Sequence, residues 1–255
     1  MSLTLTAIPA IPLIQAGDDL APILLQALHA AGVALQDGDV LVLAQKIVSK
    51  AQGRWVNLAV VTPSARALEL GAQIDKDARL VELVLQESNA VLRTRLGTII
   101  VEHKLGFVCA NAGIDHSNVA GEGNANEEWV LLLPVDPDSS AQRLRQRFEQ
   151  ASGCRLGVLI IDSHGRAWRQ GVVGTTIGLA GLPGLVDLRG QPDLFGYTLR
   201  ITQIGVADEL AAAASLVMGQ AAEGTPLVHV RGFPYPLRES TMKELLRPKE
   251  QDLFR

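Results

Sequence analysis

Two cysteines in 255 residues, Cys109 and Cys154, lie far apart and form no C-x-x-C pair. That excludes a disulfide framework and a zinc ribbon, and two sparse thiols suit a reducing cytoplasm. Aromatic residues make up only 4% of the chain, too few for a run of base-stacking platforms. Positive charge is not in excess: 23 Lys and Arg stand against 27 Asp and Glu, for a net charge of -4. A nonspecific nucleic-acid binder needs the opposite balance. No stretch reaches the ~18 consecutive apolar residues of a membrane span. The opening MSLTLTAIPAIPLIQAGDD lacks the basic cluster and long apolar run of a secretory signal. The expectation is a cytoplasmic protein that engages neither nucleic acid nor membrane. Several signatures are missing as well. There is no G-x-x-x-x-G-K-[ST], no G-x-G-x-x-G after a strand, no H-E-x-x-H and no G-x-S-x-G, so a P-loop and a dinucleotide fingerprint are excluded.

What is present is core. Hydrophobic residues are 47% of the sequence, enough to exclude disorder and to fill one large domain or two interleaved smaller ones. Leu3 to Ile8 reads as a strand. Leu20, Ile23, Leu24, Ala27 and Leu28 recur at helical spacing after Asp18-Asp19, and Gly32 stops that helix. Val40 to Ala44 is a short, wholly apolar strand, with Gln45 to Lys50 at its end. Helices are expected over Ser64–Ile74 and Asp77–Ser88, and paired short strands over Thr98–Val101 and Phe107–Cys109. A glycine-rich loop covers Asn111 to Glu127, and Trp129–Leu133 is a buried strand. Asp136-Pro137-Asp138-Ser139 caps a helix to about Ala151, with Leu144 and Phe148 inward. Leu156–Ile161 is a strand that stops at Asp162. Tyr197, Leu199 and Ile201 alternate as a strand, Ala207–Met218 is an alanine-rich helix, and Leu227–Val230 is the last strand. Single strands mixed with helices predict an α/β (α+β) fold of mixed sheets with packed helices. Residues 1–235 form the working unit, and 236–255 a charged surface tail.

Four segments could carry chemistry. In Cys109-Ala110-Asn111-Ala112-Gly113-Ile114-Asp115-His116-Ser117-Asn118, small residues leave room for a ligand, and Asp115 and Asn118 present hard oxygens of the kind Mg²⁺ and Mn²⁺ prefer. The alternative is an Asx-turn loop bonding its own backbone. In Asp162-Ser163-His164-Gly165-Arg166-Ala167-Trp168-Arg169, a carboxylate ends a buried strand, where open α/β sheets bind ligands. Ser163 adds a hydroxyl, and Arg166 and Arg169 can clamp anionic oxygens. The alternative is a cap or turn with surface arginines, and His164 reads as solvated. Lys46 and Lys50 can meet phosphates as point charges or be ordinary surface lysines. Met218 to Pro226 is a helix end whose glycines also permit close approach of a ligand. Gly174, Gly178, Gly181 and Gly184 are too loosely spaced for a phosphate cradle; they let backbone pack tightly or move.

Taken in order, these segments resemble the coenzyme F420-0:γ-glutamyl ligase family (CofE). The resemblance rests on Asp37-Gly38-Asp39-Val40-Leu41-Val42 with Gln45-Lys46-Ile47-Val48-Ser49-Lys50, on Ala110 to Asn118, on Asp162 to Arg166, and on Ala207-Asp208-Glu209-Leu210 through Met218-Gly219. It spans Ile11 to about Gly232. It implies a GTP-dependent ligase that joins L-glutamate to the deazaflavin precursor F420-0 through an acyl phosphate, and can then add γ-linked glutamates. It further implies Mg²⁺ or Mn²⁺, a helping K⁺, a homodimer, and an unusual two-part fold that is neither P-loop nor ATP-grasp. Asp115, Asp162, Ser163 and Gln220 would sit at the metal. Ile11, Pro12, Leu13, Ile14, Gln45, Lys46, Lys50 and Asn118 would contact GTP. So would the loop of Met218, Gly219, Gln220, Ala221, Ala222, Glu223, Gly224 and Thr225. Asp115, Asp162, Lys46 and Arg166 would carry the chemistry. The family commonly has threonine, an aromatic and, after the arginine, proline where this chain has Ser163, His164 and Ala167. A metal-dependent phosphohydrolase and a noncatalytic deazaflavin or flavin carrier are the rival readings.

Overall fold

The computed structural model describes residues 2–119 and 128–253. In chain order its strands and α-helices are β1 (Thr4–Ala7), α1 (Leu20–Ala30), β2 (Val40–Ala44), α2 (Gln45–Ala51), β3 (Trp55–Asn57), α3 (Ala65–Ile74), α4 (Ala78–Gln86), β4 (Ser88–Arg95), β5 (Thr98–His103), β6 (Val108–Ala110) and β7 (Trp129–Leu131). Then come α5 (Pro137–Ser152), β8 (Gly157–Arg166), β9 (Arg169–Ala180), β10 (Val186–Asp187), β11 (Gln203–Ile204), α6 (Val206–Met218) and β12 (Leu227–Arg231). Of the expected glycine-rich loop Asn111–Glu127, residues 120–127 lie outside the described residues.

The main sheet runs β1-β12-β2-β8-β9. Only β2 and β8 are parallel, with Val40 opposite Gly157 and Ala44 opposite Ile161. Both are apolar on both faces because both faces are covered. On one side, α1, α2 and α5 supply Leu24, Leu28, Val48 and Phe148 to a core with Leu41, Leu43, Val158 and Ile160. On the other, Leu210, Ala211, Ala214 and Met218 of α6 pack on Val40, Val42, Leu159 and Ile161. At the far end of the sheet the carboxylate of Asp39, 1% exposed, accepts from Arg231 at 2.7 and 3.0 Å and lies 2.8 Å from His229 Nε2. It ties β2 to β12 without an unpaired buried charge.

The chain between β2 and β8 builds the second part. There, β4-β5-β6 form an antiparallel sheet over which α3 and α4 lay Ala67, Ile74, Val81 and Val84. The ladder of β3 and β7 adds a smaller cluster with Leu58, Leu80 and Val130. The two-part α/β arrangement expected from the sequence is present.

Strands β3, β4, β10 and β11 lie where none was expected, and three further strand differences have a physical reason. β8 does not stop at Asp162; it runs on to Arg166 as one arm of a hairpin with β9. β9 itself, 12 residues long, was not expected, because glycine is a poor strand former. Two of its glycines pack the helices. A Cβ on Gly174 would lie 2.4 Å from Ala211 O of α6, and one on Gly178 2.4–2.7 Å from Pro137 of α5. The same helices satisfy this edge strand: Asp208 accepts from Thr176 N and Asp138 from Leu179 N, each at 2.9 Å. Conversely, the alternation Tyr197-Leu199-Ile201 forms no regular strand. Asp193 accepts two turn amides there, from Phe195 and Tyr197, and Ile201 is 88% exposed. Alternation makes a strand only where another strand and a core can receive it.

The segment after Leu237 is more than a surface tail. Met242 is buried, Glu239 pairs with Arg145, and Glu244 accepts from the backbone of Gly184 and Leu185 while paired with Arg238. No helix among the described residues is long and apolar enough to cross a membrane.

Candidate active site at the ends of the parallel strands

The register of β2 and β8 fixes the site. Ala44 pairs with Ile161, so Gln45 and Asp162, the next residue on each, come side by side at the edge of the core, Gln45 still buried. This is the carboxyl end of the parallel pair, where an open sheet presents ligand-binding groups. Lys46 and Lys50 follow the end of β2, as read from the sequence, but not on the strand–loop edge of the alternative reading: β2 turns directly into α2, and both lysines stand on that helix.

Asp115 arrives from the second part. Asn111, Ala112 and Gly113 take left-handed backbone with φ of 51°, 53° and 65°. For the non-glycine residues this costs roughly 1–2 kcal/mol each. Asn111 Oδ1 offsets part of it by accepting from Ile99 N at 3.2 Å. Ala112 is buried, and the space a Gly113 side chain would need is filled by Leu133. The small residues therefore serve a tight packed turn rather than leaving room for a ligand. Backbone bonds of 3.0 and 2.9 Å between Asp115 and Leu131 then lock the aspartate in place.

Its carboxylate is held by the start of α2. Gln45 Nε2 donates to Oδ2 at 2.6 Å and Lys46 Nζ lies 3.0 Å from Oδ1. Gln45 is set in turn by Ser49, whose hydroxyl donates to Oε1 at 2.8 Å, and Lys46 also reaches Ser117 O and Oγ. Burial pushes the Asp115 carboxyl above the usual range; Lys46 opposes this, and the nearby charge of Asp162 adds to it. Burial and Lys46 push the Lys50 ammonium below its ordinary value, with Asp115 opposing. Lys50 also sits 5.4 Å from the Trp55 ring centroid. Two carboxylates and two partly dehydrated lysines thus face one small volume.

Along β8 the side chains alternate. Asp162 and His164 share the face toward β6: His164 Nε2 lies 2.9 Å from Asp162 Oδ2, and its ring tilts against Phe107 at 5.2 Å between centroids. His164 is thus packed and bonded, not solvated. Phe107 stacks in turn on His103 at 5.1 Å. Ser163 points the other way, toward α6, as does Gly174 opposite it. Its hydroxyl donates to Gln220 Oε1 at 2.7 Å, and Gln220 Nε2 donates to Ser215 Oγ at 2.8 Å. The four residues implied at a metal therefore fall into two pairs, Asp115 with Asp162 and Ser163 with Gln220, around one strand. Arg166 is half-buried, and its Nη1 is buried with no hydrogen-bond partner among the described residues.

Asn118, at φ 57°, donates to Ala221 O at 3.0 Å and joins the Asp115 loop to the Met218–Thr225 loop. Within that loop Thr225 Oγ1 donates to Met218 O at 2.9 Å and Glu223 accepts from Ala221 N at 2.8 Å. Gly219 and Gly224 have positive φ; Ala222 lies between these turns. The remaining implied segment approaches α2 from its other end. Ile11 and Ile14 pack into the core, Pro12 and Leu13 face outward, and Gly17 N bonds Ala51 O at 2.9 Å. No side-chain bond connects Ile11–Ile14 to Asp115 or Asp162 among the described residues.

Sequence reasoning missed Ser117, Ser215 and Phe107, and it read His164 as solvated. Only His164 had a readable signal, its i, i+2 spacing from Asp162. That signal needs β8 to extend past the aspartate.

Two carboxylates of hard oxygen suit a divalent cation that takes its remaining ligands from phosphate and water. Burial raises Asp115 and the charge of Asp162 adds to it; a cation there would offset both. Among the described residues no three His, Cys, Asp or Glu side chains group as a metal cage. The fit is to a cation shared with a substrate, not to a structural ion.

The family model described as F420-0:γ-glutamyl ligase matches residues 9–232. A protein of Methanothermobacter thermautotrophicus named coenzyme F420:L-glutamate ligase is 46% identical over 257 positions, covering 100% of both chains. Proteins of the same name from Archaeoglobus fulgidus and Methanopyrus kandleri are 44% and 41% identical. They cover 97% and 100% of this chain and 94% and 98% of their own.

Proposed function

The chain belongs to the coenzyme F420-0:γ-glutamyl ligase family, and from that premise we propose that it joins L-glutamate to coenzyme F420-0 at the expense of GTP. The observation that carries the reading is the meeting of Asp115 and Asp162 with Lys46 beside the end of the β2–β8 pair.

Carboxylate and amine do not condense unaided, so the acceptor carboxylate must be activated. In the proposed reaction a carboxylate oxygen of F420-0 attacks the γ-phosphorus of GTP. The bond to the β–γ bridging oxygen breaks, and an acyl phosphate and GDP form. The glutamate amine then attacks the acyl carbon, inorganic phosphate leaves, and the amine loses its proton. A second cycle on the new glutamate side chain gives a γ-linked tail. Mg²⁺ or Mn²⁺, held between Asp115 and Asp162, would neutralise charge on the β- and γ-oxygens.

Lys46 and Lys50 supply fixed positive charge where the phosphoryl group passes. Partly dehydrated, they are worth more to an anion there than on an open surface. Arg166, with a buried Nη1 unpaired among the described residues, is the third cation of the set. Gln45 and Ser49 hold Asp115 in a single orientation, and Asn118 fastens the Met218–Thr225 loop that would close on the nucleotide together with Ile11–Ile14. The reading includes a homodimer in the cytoplasm. Its support is the arm carrying Leu194, Phe195 and Ile201, 98%, 95% and 88% exposed. Monomeric proteins seldom leave such a group uncovered.

Mass spectrometry of F420-0 incubated with the protein, GTP, Mn²⁺, K⁺ and glutamate tests the reading. One or more added glutamyl masses, with GDP released only when glutamate is present, is the expected result. GDP release without glutamate would indicate a phosphohydrolase instead.

A further inference from the structure

We propose that His164 is a positioning residue that fixes the Asp162 carboxylate for its cation. The inference rests on the reading of Asp162 as a metal-side carboxylate and adds to it. A carboxylate accepts, so the contact of 2.9 Å between His164 Nε2 and Asp162 Oδ2 requires the proton on Nε2. The two residues are i and i+2 on one strand, hence on one face, with side chains only 12% and 11% exposed. The imidazole cannot swing away. Phe107 lies against it at 5.2 Å, and Phe107 is itself stacked on buried His103, with 7° between the ring planes. The stack spans from β5 to β8, so the second part of the fold sets the angle of a side chain on the first.

The bond leaves Oδ1 of Asp162 for other partners and removes one rotational freedom. Asp115 is restrained twice, by Gln45 and by Lys46. Asp162 has no such clamp from α2, and His164 fills that role. A ligand carboxylate held this way binds its cation more tightly because the ordering is done beforehand. His164 is not itself a third ligand, since no three such side chains group together among the described residues.

Packing and orientation make opposite predictions for two substitutions. His164→Phe keeps a ring against Phe107 and loses the donor. His164→Gln loses the ring and keeps an amide N–H at the reach of Nε2. The full-length chain is titrated with Mn²⁺ alone, and free Mn²⁺ is followed by its electron paramagnetic resonance signal. The expected result is a dissociation constant raised about tenfold in His164→Phe and within about threefold of wild type in His164→Gln. The reverse order, or no change in either, would overturn the inference. If His164→Phe does not fold, His164→Leu replaces it, and equal affinities for the Leu and Gln variants overturn the inference in the same way. Asp162→Asn is run alongside. Loss of Mn²⁺ binding there, with His164→Phe unchanged, refutes the role of His164 alone; full Mn²⁺ binding by Asp162→Asn refutes the reading of Asp162.

Discussion

Asp115 is dehydrated, faces a second carboxylate, and is nonetheless held by two donors on α2. Asp115→Asn keeps the shape and the bond from Gln45 but removes the charge. It should abolish GTP-dependent glutamylation while leaving circular dichroism and the unfolding midpoint within ordinary surface-mutation limits. Turnover near wild type would remove Asp115 from the mechanism. At this scale the sequence was partly legible. Asp115, Asp162 and Lys46 stood out as acids and a base near apolar runs, and the structure brings them together. The facing of Ser163 and the packing of His164 were not legible, because both depend on β8 continuing as a strand. Ile160-Ile161-Asp162 reads as the end of an apolar run; only pairing with β9 carries the pleat onward.

Elements with a wholly apolar or amphipathic signature were read closely. Val40–Ala44 is β2 to the residue, Gly153 ends α5 in left-handed backbone after an Asp136 cap, and α6 begins one residue before the expected Ala207. β9 was missed because its evidence is in its neighbours. Its glycines exist for the helices on its two faces, and two aspartates from those helices complete its hydrogen bonding. Gly174→Ala and Gly178→Ala should each lower stability by about 1–3 kcal/mol through overpacking against backbone. Gly165→Ala, where an added Cβ meets nothing within 4 Å, should be close to neutral. Urea unfolding of the three variants provides the check. Equal midpoints would mean that α5 and α6 do not press on β9 as described.

At the scale of the whole molecule, two features bear on solution behaviour. Burial drives His103 down to about 4, with His164, Lys104 and Arg54 adding to the effect and Asp162 opposing it; Glu87 stands 4.0 Å from its Nε2. The folded-state value lies below that of the unfolded chain, so the unfolded chain takes up the proton first. Stability should be unaffected above pH 6.5 and decline as pH falls from about 6.5 to 4, by about 3 kcal/mol in all. His103→Gln should flatten that part of the unfolding free energy against pH, and a wild-type curve level across the window would refute the assignment. The second feature is the arm at Leu194 and Phe195. A double change, Leu194→Asp with Phe195→Asp, should convert a dimer to a monomer in analytical ultracentrifugation while leaving the monomer folded. A wild-type chain that sediments as a monomer at micromolar concentration would end the dimer reading. Nothing in composition pointed to this arm, since its alternation suggested a strand within the fold.

The hairpin of β8 and β9 carries a constraint on how the gene can change. Ile160 faces Gly178 but Ile161 faces Thr176, so β9 holds one extra residue, Ile177, just before the site. Beyond that bulge the frame is set: even-numbered Asp162 and His164 look toward β6, and odd-numbered Ser163 looks toward α6. Inserting a single codon between Ile161 and Asp162 would trade the faces, sending a hydroxyl toward Asp115 and a carboxylate toward Gln220. Past Arg166, at the turn of Ala167 and Trp168, the same change would lengthen only the tip. Length variation among descendants of this gene is therefore expected at the turn, and just before Asp162 only in compensated pairs.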